Sequence, residues 1–233
     1  MGDLTLPPTS AGALFLYRGG GITPCRPVMT GDVFADVEIP GVDGGPGLAL
    51  VLTHPCSMRS GGHVRERVMA CRVEDGPPIR QDKWATGFFN VMPLPGLAAT
   101  GDLGHRAVFE LSGRVLTTSL DFTKRLSCLE ETGIALLLQR LAFSYTRSVI
   151  EVEVLHASVA HLLVEAELLE QWVEDRAAAA GAATSDLILS AEEEFDGLMN
   201  EIDSVPGKTH RDRLKDPATR AAVRRLVAKR LGR

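Results

Sequence analysis

The hydrophobic period of this chain changes once, near Leu120, and that change limits the folds open to it. Before it, apolar stretches are short and separated by Gly/Pro-rich turns. In "DVFADVEI", Val33, Ala35, Val37 and Ile39 alternate with Phe34, Asp36 and Glu38, the two-residue period of a half-buried strand. "LALVLT" is a continuous apolar run of strand length, as in a strand buried on both faces. "VRERVMACRV", "GFFNVMPL" and "HRAVFELSG" with "VLTTSL" continue the series. Short strands between such turns predict a small antiparallel barrel or sandwich over about 30–120.

After Leu120 the period becomes helical. Leu129, Ile134, Leu137, Leu138, Leu141 and Phe143 recur at helical spacing despite Gly133. "VIEVEVL" reads as strand or helix. From His156 to Ala180, Val159, Leu162, Leu163, Ala166, Leu169, Trp172 and Val173 form one apolar stripe with the glutamates outside it. Ser185 or Asp186 is placed to cap a helix from Leu187 to about Ser204. Asp216-Pro217 starts a last helix, Ala218–Leu231, with a capping carboxylate followed by proline at the first helical position. The fold class expected is therefore α+β. A Gly/Pro-rich arm occupies 1–29, a barrel with a closing helix 30–147, an acidic helical region 148–206, and a basic linker and amphipathic helix 207–233.

Charge sharpens the division. Glu and Asp recur from Glu151 to Pro206 against a single base, Arg176. From Gly207 onward ten bases, among them Arg220, Arg224, Arg225 and Lys229, face only Asp212 and Asp216. The basic tail has three readings: contact with nucleic-acid phosphates, docking on an acidic protein surface (this chain's own 165–203 region or another subunit), or a solvated face. Three amphipathic helices bury little if each stands alone, so the helices are expected to form an interaction arm, within a homodimer or against another protein, with Trp172 at the contact. The low aromatic content, 5%, argues against base-stacking platforms. No apolar run approaches a membrane span and no basic region precedes the apolar Ala13–Tyr17. A cytoplasmic location with four reduced cysteines and no cofactor is expected.

"LTHPCSMRSGGH" holds the residues with most chemistry. In a strand, His54 and Cys56 face the same way, and an imidazole beside a thiol is the basis of a cysteine nucleophile. The alternative reading is Cys56 as a small buried hydrophobe and His54 as a capped strand end, since free Cys is among the most buried residue types. A zinc site from His54, Cys56, His63 and Cys71 fails on geometry. With Ser60-Gly61-Gly62 as a hairpin tip, Cys71 falls about 17 Å from Cys56 at roughly 3.3 Å per residue. Glu74-Asp75 offer carboxylates for acid–base work, or form a turn before Gly76-Pro77-Pro78. Asp121, Lys124 and Arg125 either line a groove that meets phosphate or simply start a helix.

Two stretches, "TGDVFADVEIPG…GPGLALVLT" and "LTTSLDFTKRLSCLEETGIALLLQRL", resemble the opening strands and the closing strand and helix of MazF/PemK-like toxin domains, over about 30–147. The resemblance implies an SH3-like barrel and, in that family, RNA cleavage. Gly47-Leu48 stand where the family carries an Arg-Pro with its catalytic arginine, and Arg72-Val73-Glu74 where it carries a Pro-X-Thr segment with a catalytic Thr or Ser. The function expected is a toxin- or defence-type bacterial module with a degenerate barrel that acts by binding protein, with nucleic acid as a second class of partner. The competing expectation is an endoribonuclease or thiol-dependent enzyme centred on His54 and Cys56.

Overall fold

A computed structural model describes residues 4–8, 10–19, 22–60, 63–97, 104–202 and 207–233. Among these described residues the elements run β1 (Phe15–Arg18), β2 (Val33–Val37), β3 (Gly47–Val51), α1 (Pro55–Met58), β4 (Arg59–Ser60), β5 (His63–Val64), β6 (Arg67–Gly76), β7 (Val91–Leu94), β8 (Gly104–Leu116), β9 (Arg125–Leu129), α2 (Glu131–Thr146), α3 (Val152–Ala180), α4 (Ser185–Asn200), α5 (His210–Lys215) and α6 (Pro217–Arg230). Among the described residues no helix is long and apolar enough to cross a membrane.

The chain is α+β. Seven strands form one antiparallel sheet in the order β1-β9-β2-β3-β6-β8-β7, curled into a half-barrel. The longest ladder, β6 with β8, runs from Arg67↔Leu116 to Gly76↔Gly104 and shifts register between Cys71 and Val73. Such an extra residue bends a strand and raises its twist, which suits a short sheet that must curl. Gly113 sits where β8 passes under the 39–40 corner. A Cβ there would lie 2.7 Å from the Pro40 carbonyl oxygen.

Two cation-centred contacts fix the sheet's surroundings. Arg140 of α2 is 1% exposed. It donates to the carbonyls of Val91 (2.8 Å), Trp84 (2.8 Å) and Phe88, and its guanidinium lies 5.7 Å from the Trp84 ring centroid. Burial pushes its pKa down to about 10. Arg125 at the start of β9 is buried beside Asp32 (3.5 Å) and stacks near Phe34 and Phe122. Asp32 also accepts the Met29 N–H at 3.0 Å.

The chain divides into two units. One comprises 1–22, 29–58 and 65–158, and holds the sheet and α2. The other comprises 23–28, 59–64 and 159–233, and holds the helices. The helical unit has its own core of Leu168, Leu169, Trp172, Val173, Phe195, Leu198, Met199, Leu214, Val223 and Val227. Cys25 belongs to that core, and Arg26 forms a buried 2.7 Å ion pair with Glu170 of α3.

Several sequence expectations change. The segment expected as an arm over 1–29 holds β1, with Leu14 fully buried and Phe15 opposite Leu129, and its 23–28 stretch joins the helical unit. The ambiguous "VIEVEVL" is helical from Val152, as the first turn of α3. The second helix is capped by Thr184, not Ser185 or Asp186; its hydroxyl accepts from the Leu187 N–H. Val205 and Pro206 of the expected linker and Gly61-Gly62 of the expected hairpin tip lie outside the described residues.

Glycines 133 and 197 make opposite predictions. A Cβ at Gly133 would lie 2.3 Å from the Leu14 carbonyl oxygen, whereas one at Gly197 meets nothing within 4 Å. Gly133→Ala is expected to destabilise the chain although alanine is the better helix former by about 1 kcal/mol. Gly197→Ala is expected to stabilise it by about 0.5–1 kcal/mol. Urea unfolding reads both; a Gly133→Ala midpoint at or above wild type contradicts the packing described.

Candidate functional site

The His54–Cys56 corner follows the end of β3. Thr53 fixes it: the Thr30 hydroxyl donates to the Thr53 carbonyl, and the Met69 N–H donates to the Thr53 hydroxyl at 2.6 Å. The strand ends at Val51, and Pro55–Met58 form one helical turn, so the strand premise for a paired His54 and Cys56 does not hold. Proline at the first helical position explains the turn. The Cys56 N–H donates to His54 Nδ1 at 3.2 Å. Burial lowers the His54 pKa, which keeps the imidazole neutral and able to accept. In that tautomer Nδ1 is the ring's only acceptor, and it is already occupied. Taking a thiol proton requires His54 to release the turn. Cys56 itself is exposed.

A second group gathers toward the opposite end of β2. Asp121 caps a 3-10 turn, Phe122–Lys124, by accepting from the Thr123 N–H (2.9 Å) and hydroxyl (2.6 Å). These Thr123 bonds hold the Asp121 carboxyl below the usual range. Lys124 Nζ lies 3.1 Å from Asp36 and 4.0 Å from Asp121, and Asp36 raises its pKa. Asp36 has φ of 56°, at a register shift in β2 between Phe34 and Val37. Aspartate is among the few non-glycine residues that adopt this conformation readily. The spacing of Asp36 gave no sign of this; its place in an alternating strand hid the bulge.

The two groups are separate. Four steps of β3 lie between Gly47, opposite Val37, and Val51, about 13 Å at roughly 3.3 Å per residue. Near the Gly47 end, Arg72 is buried and donates to the Gly45 carbonyl. Its guanidinium occupies the space over Gly47, where a Cβ would lie 2.0 Å from Nη1. Glu74 is not in a turn: it is an exposed residue of β6, opposite Arg106, and the neighbouring Asp75 meets His105 Nε2 at 3.1 Å.

In the helical unit much of the basic tail turns onto the chain's own acidic helices. Arg211 bonds Glu165 (2.9 Å), Asp196 (2.8 Å) and Asn200 (2.6 Å). Arg224 holds both oxygens of Glu167, at 2.7 and 2.6 Å. Arg230 meets Glu201 at 3.2 Å, and Arg220 donates to the Leu214 carbonyl at 2.7 Å. Arg225 and Lys229 are exposed. Trp172, expected at a contact with a partner, lies instead in this unit's core, 6% exposed, against Phe195 and beneath Arg176. The apolar stripes of α3, α4 and α6 find one another within the chain. Sequence reasoning missed Arg59, half-buried near Glu192, Glu165 and Asp196, because nothing local marks a two-residue strand as part of the helical unit.

Two predictions follow from these placements. Cys25, Cys71 and Cys128 are buried, and burial pushes the Cys71 thiol well up. A thiol reagent on the native chain is therefore expected to titrate one cysteine, Cys56, quickly and the others only on unfolding; a Cys56→Ser chain that keeps a fast thiol contradicts this. The other concerns acid. Lys215 and Thr209 hold Asp212 at about 2, below its ordinary 3.8. A depressed carboxylate stabilises the fold fully above its ordinary pKa and loses that contribution as pH falls through the folded value. Helicity is expected to fall between about pH 4 and 2. Asp212→Asn removes that part of the acid transition, and an unchanged transition by circular dichroism counts against it. No family model matches this chain, and no curated protein matches it.

Proposed function

We propose that this chain is a toxin- or defence-type binding module of the bacterial cytoplasm, built on a PemK-like, SH3-like barrel whose RNase chemistry is lost. One observation carries the reading: the groups that would serve a scissile phosphate are committed elsewhere. Arg72 is engaged by the Gly45 carbonyl, Lys124 by Asp36, Arg125 by Asp32, and the acceptor nitrogen of His54 by the Cys56 N–H. Freeing any of them breaks a bond that shapes a loop. Stabilising charge in a transition state calls for donors already aimed at the reacting atoms. A barrel with its cations so engaged suits binding. The helical unit, with its exposed residues of both signs, provides the protein-contacting surface.

The competing enzyme reading has one observation in its favour, the exposed thiol of Cys56 beside His54. A ribonuclease assay on the purified chain separates the two. No cleavage is expected from wild type, His54→Ala or Cys56→Ala. Cleavage by wild type that both substitutions abolish, with circular dichroism unchanged, replaces the binding reading by the enzyme one.

A further inference from the structure

In the helical unit α6 and the residues after it meet α3 in step. Arg224 holds Glu167 at 2.6 Å, and farther along both segments Arg233 lies 4.0 Å from Asp175. The pattern breaks one turn earlier on α6, at Arg220. Its Nε donates to the Leu214 carbonyl at 2.7 Å, and its two terminal nitrogens meet no partner among the described residues. The α3 side chain beside it is not a glutamate but His161, half-buried, and Lys215 at the end of α5 is the third base of the group. The imidazole too meets no hydrogen-bond partner among the described residues. Glu165 is the carboxylate nearest His161, and Arg211 takes it at 2.9 Å. Asp212 takes one donor of Lys215 at 2.8 Å, and an ammonium has three. Burial, then Arg220 and Lys215, push the His161 pKa down, while Glu165 pulls it up. The corner holds more basic groups than carboxylates to meet them.

We propose that His161, Lys215 and Arg220 form a binding site for a phosphate group. Arg220 offers its two terminal nitrogens as a fork, Lys215 a compact charge and His161 a ring N–H. A carboxylate has two oxygens, which the fork alone satisfies; a phosphate has oxygens left for the other two donors. The corner is also set before a ligand arrives. The Thr219 hydroxyl donates to the Arg213 carbonyl and Arg220 to that of Leu214, so the last turn of α5 is tied to the first turn of α6. An arginine already held through Nε loses less freedom when its other nitrogens bind. All three residues belong to the helical unit, so the inference goes beyond the reading of the barrel and stands or falls apart from it. The phosphate is either the free anion or the phosphoryl end of a nucleotide.

Nuclear magnetic resonance of the His161 ring in the full chain, titrated with inorganic phosphate at constant ionic strength, tests the proposal; the His161 signal is the one lost in His161→Gln. Wild type is expected to give a saturable shift with a Kd on the order of 1 mM or tighter. Phosphate is also expected to raise the His161 pKa, since a bound anion favours the imidazolium. Arg220→Gln and Lys215→Gln are each expected to bind about tenfold more weakly, the loss of one hydrogen bond between charged groups. Arg225→Gln removes an exposed cation elsewhere on α6 and is expected to bind as wild type does. Unchanged circular dichroism verifies each fold, and Lys215, being exposed, keeps the test open if Arg220→Gln unfolds. Adenosine 5′-monophosphate in a second titration separates the sources: tighter binding than inorganic phosphate assigns the site to a nucleotide's phosphate, equal or weaker binding to the free anion. The absence of a saturable shift overturns the proposal. So does binding that a folded Lys215→Gln chain retains in full, or that Arg225→Gln weakens as much as Lys215→Gln.

Discussion

Arg140 donates to three backbone carbonyls of the segment between Trp84 and Val91, and the sheet's outer strand depends on that contact. A guanidinium withdrawn from water is tolerated only when its donors are met, so the loop that meets them is held in one conformation. The same device recurs. Arg125 lies in a buried pair with Asp32, Arg72 over Gly47, and Arg26 against Glu170. Few aromatic side chains are present to fill the space between irregular loops. Stacked and hydrogen-bonded arginines do part of that work, with the rings of Trp84, Phe34 and Phe122 as their platforms. Cations used in this way hold the loops in place and are not free for a substrate.

The longer helices, unlike the four-residue α1 and the six-residue α5, were the legible part of the fold. Their period is written over ten or more residues, and Asp216-Pro217 marks the start of α6 with its cap, as the structure has it. Elements made by distant partners were not legible. β1 has four residues and owes its existence to β9, on the far side of the barrel sequence. Cys25 and Arg26 gave no helical signal because they are not helical; they are loop residues that complete a helical core. In each case local sequence is silent about a contact that only the closed chain makes.

The candidate site divides along the same line. Asp121 reads as the start of a helix; it does cap, through its Thr123 bonds, but what it caps is a three-residue 3-10 turn that leads into β9. That Lys124 would be taken up by Asp36 could not be read, because the bulge at φ 56° appears only when β2 is paired on both sides. His54 and Cys56 were found together by spacing, but the wrong local structure was assumed. A strand would aim both side chains one way, whereas a turn beginning at Pro55 uses the imidazole to cap the Cys56 N–H.

Charge segregation in the sequence has a related resolution. An acidic block followed by a basic one reads as two surfaces, but in the folded chain the blocks are largely each other's counterions. Arg211 joins α5 to α3 and α4, and Arg224 joins α6 to α3. The Arg211 pairs are half-buried, whereas an exposed pair such as Arg224 with Glu167 adds little stability, about 0–1 kcal/mol. Their larger effect is selection. By engaging Arg211, Arg224 and Arg230, the acidic helices take up cations of the tail, while on α6 Arg225 and Lys229, four residues apart, stay outward. The net charge of the tail therefore overstates what a partner would meet. A nucleic acid binding through counterion release gains with each free cation, and two on this face offer it little. The cations that the fold leaves unpaired, and not the formal charge of the tail, are therefore the measure of how strongly this surface could attract an anion.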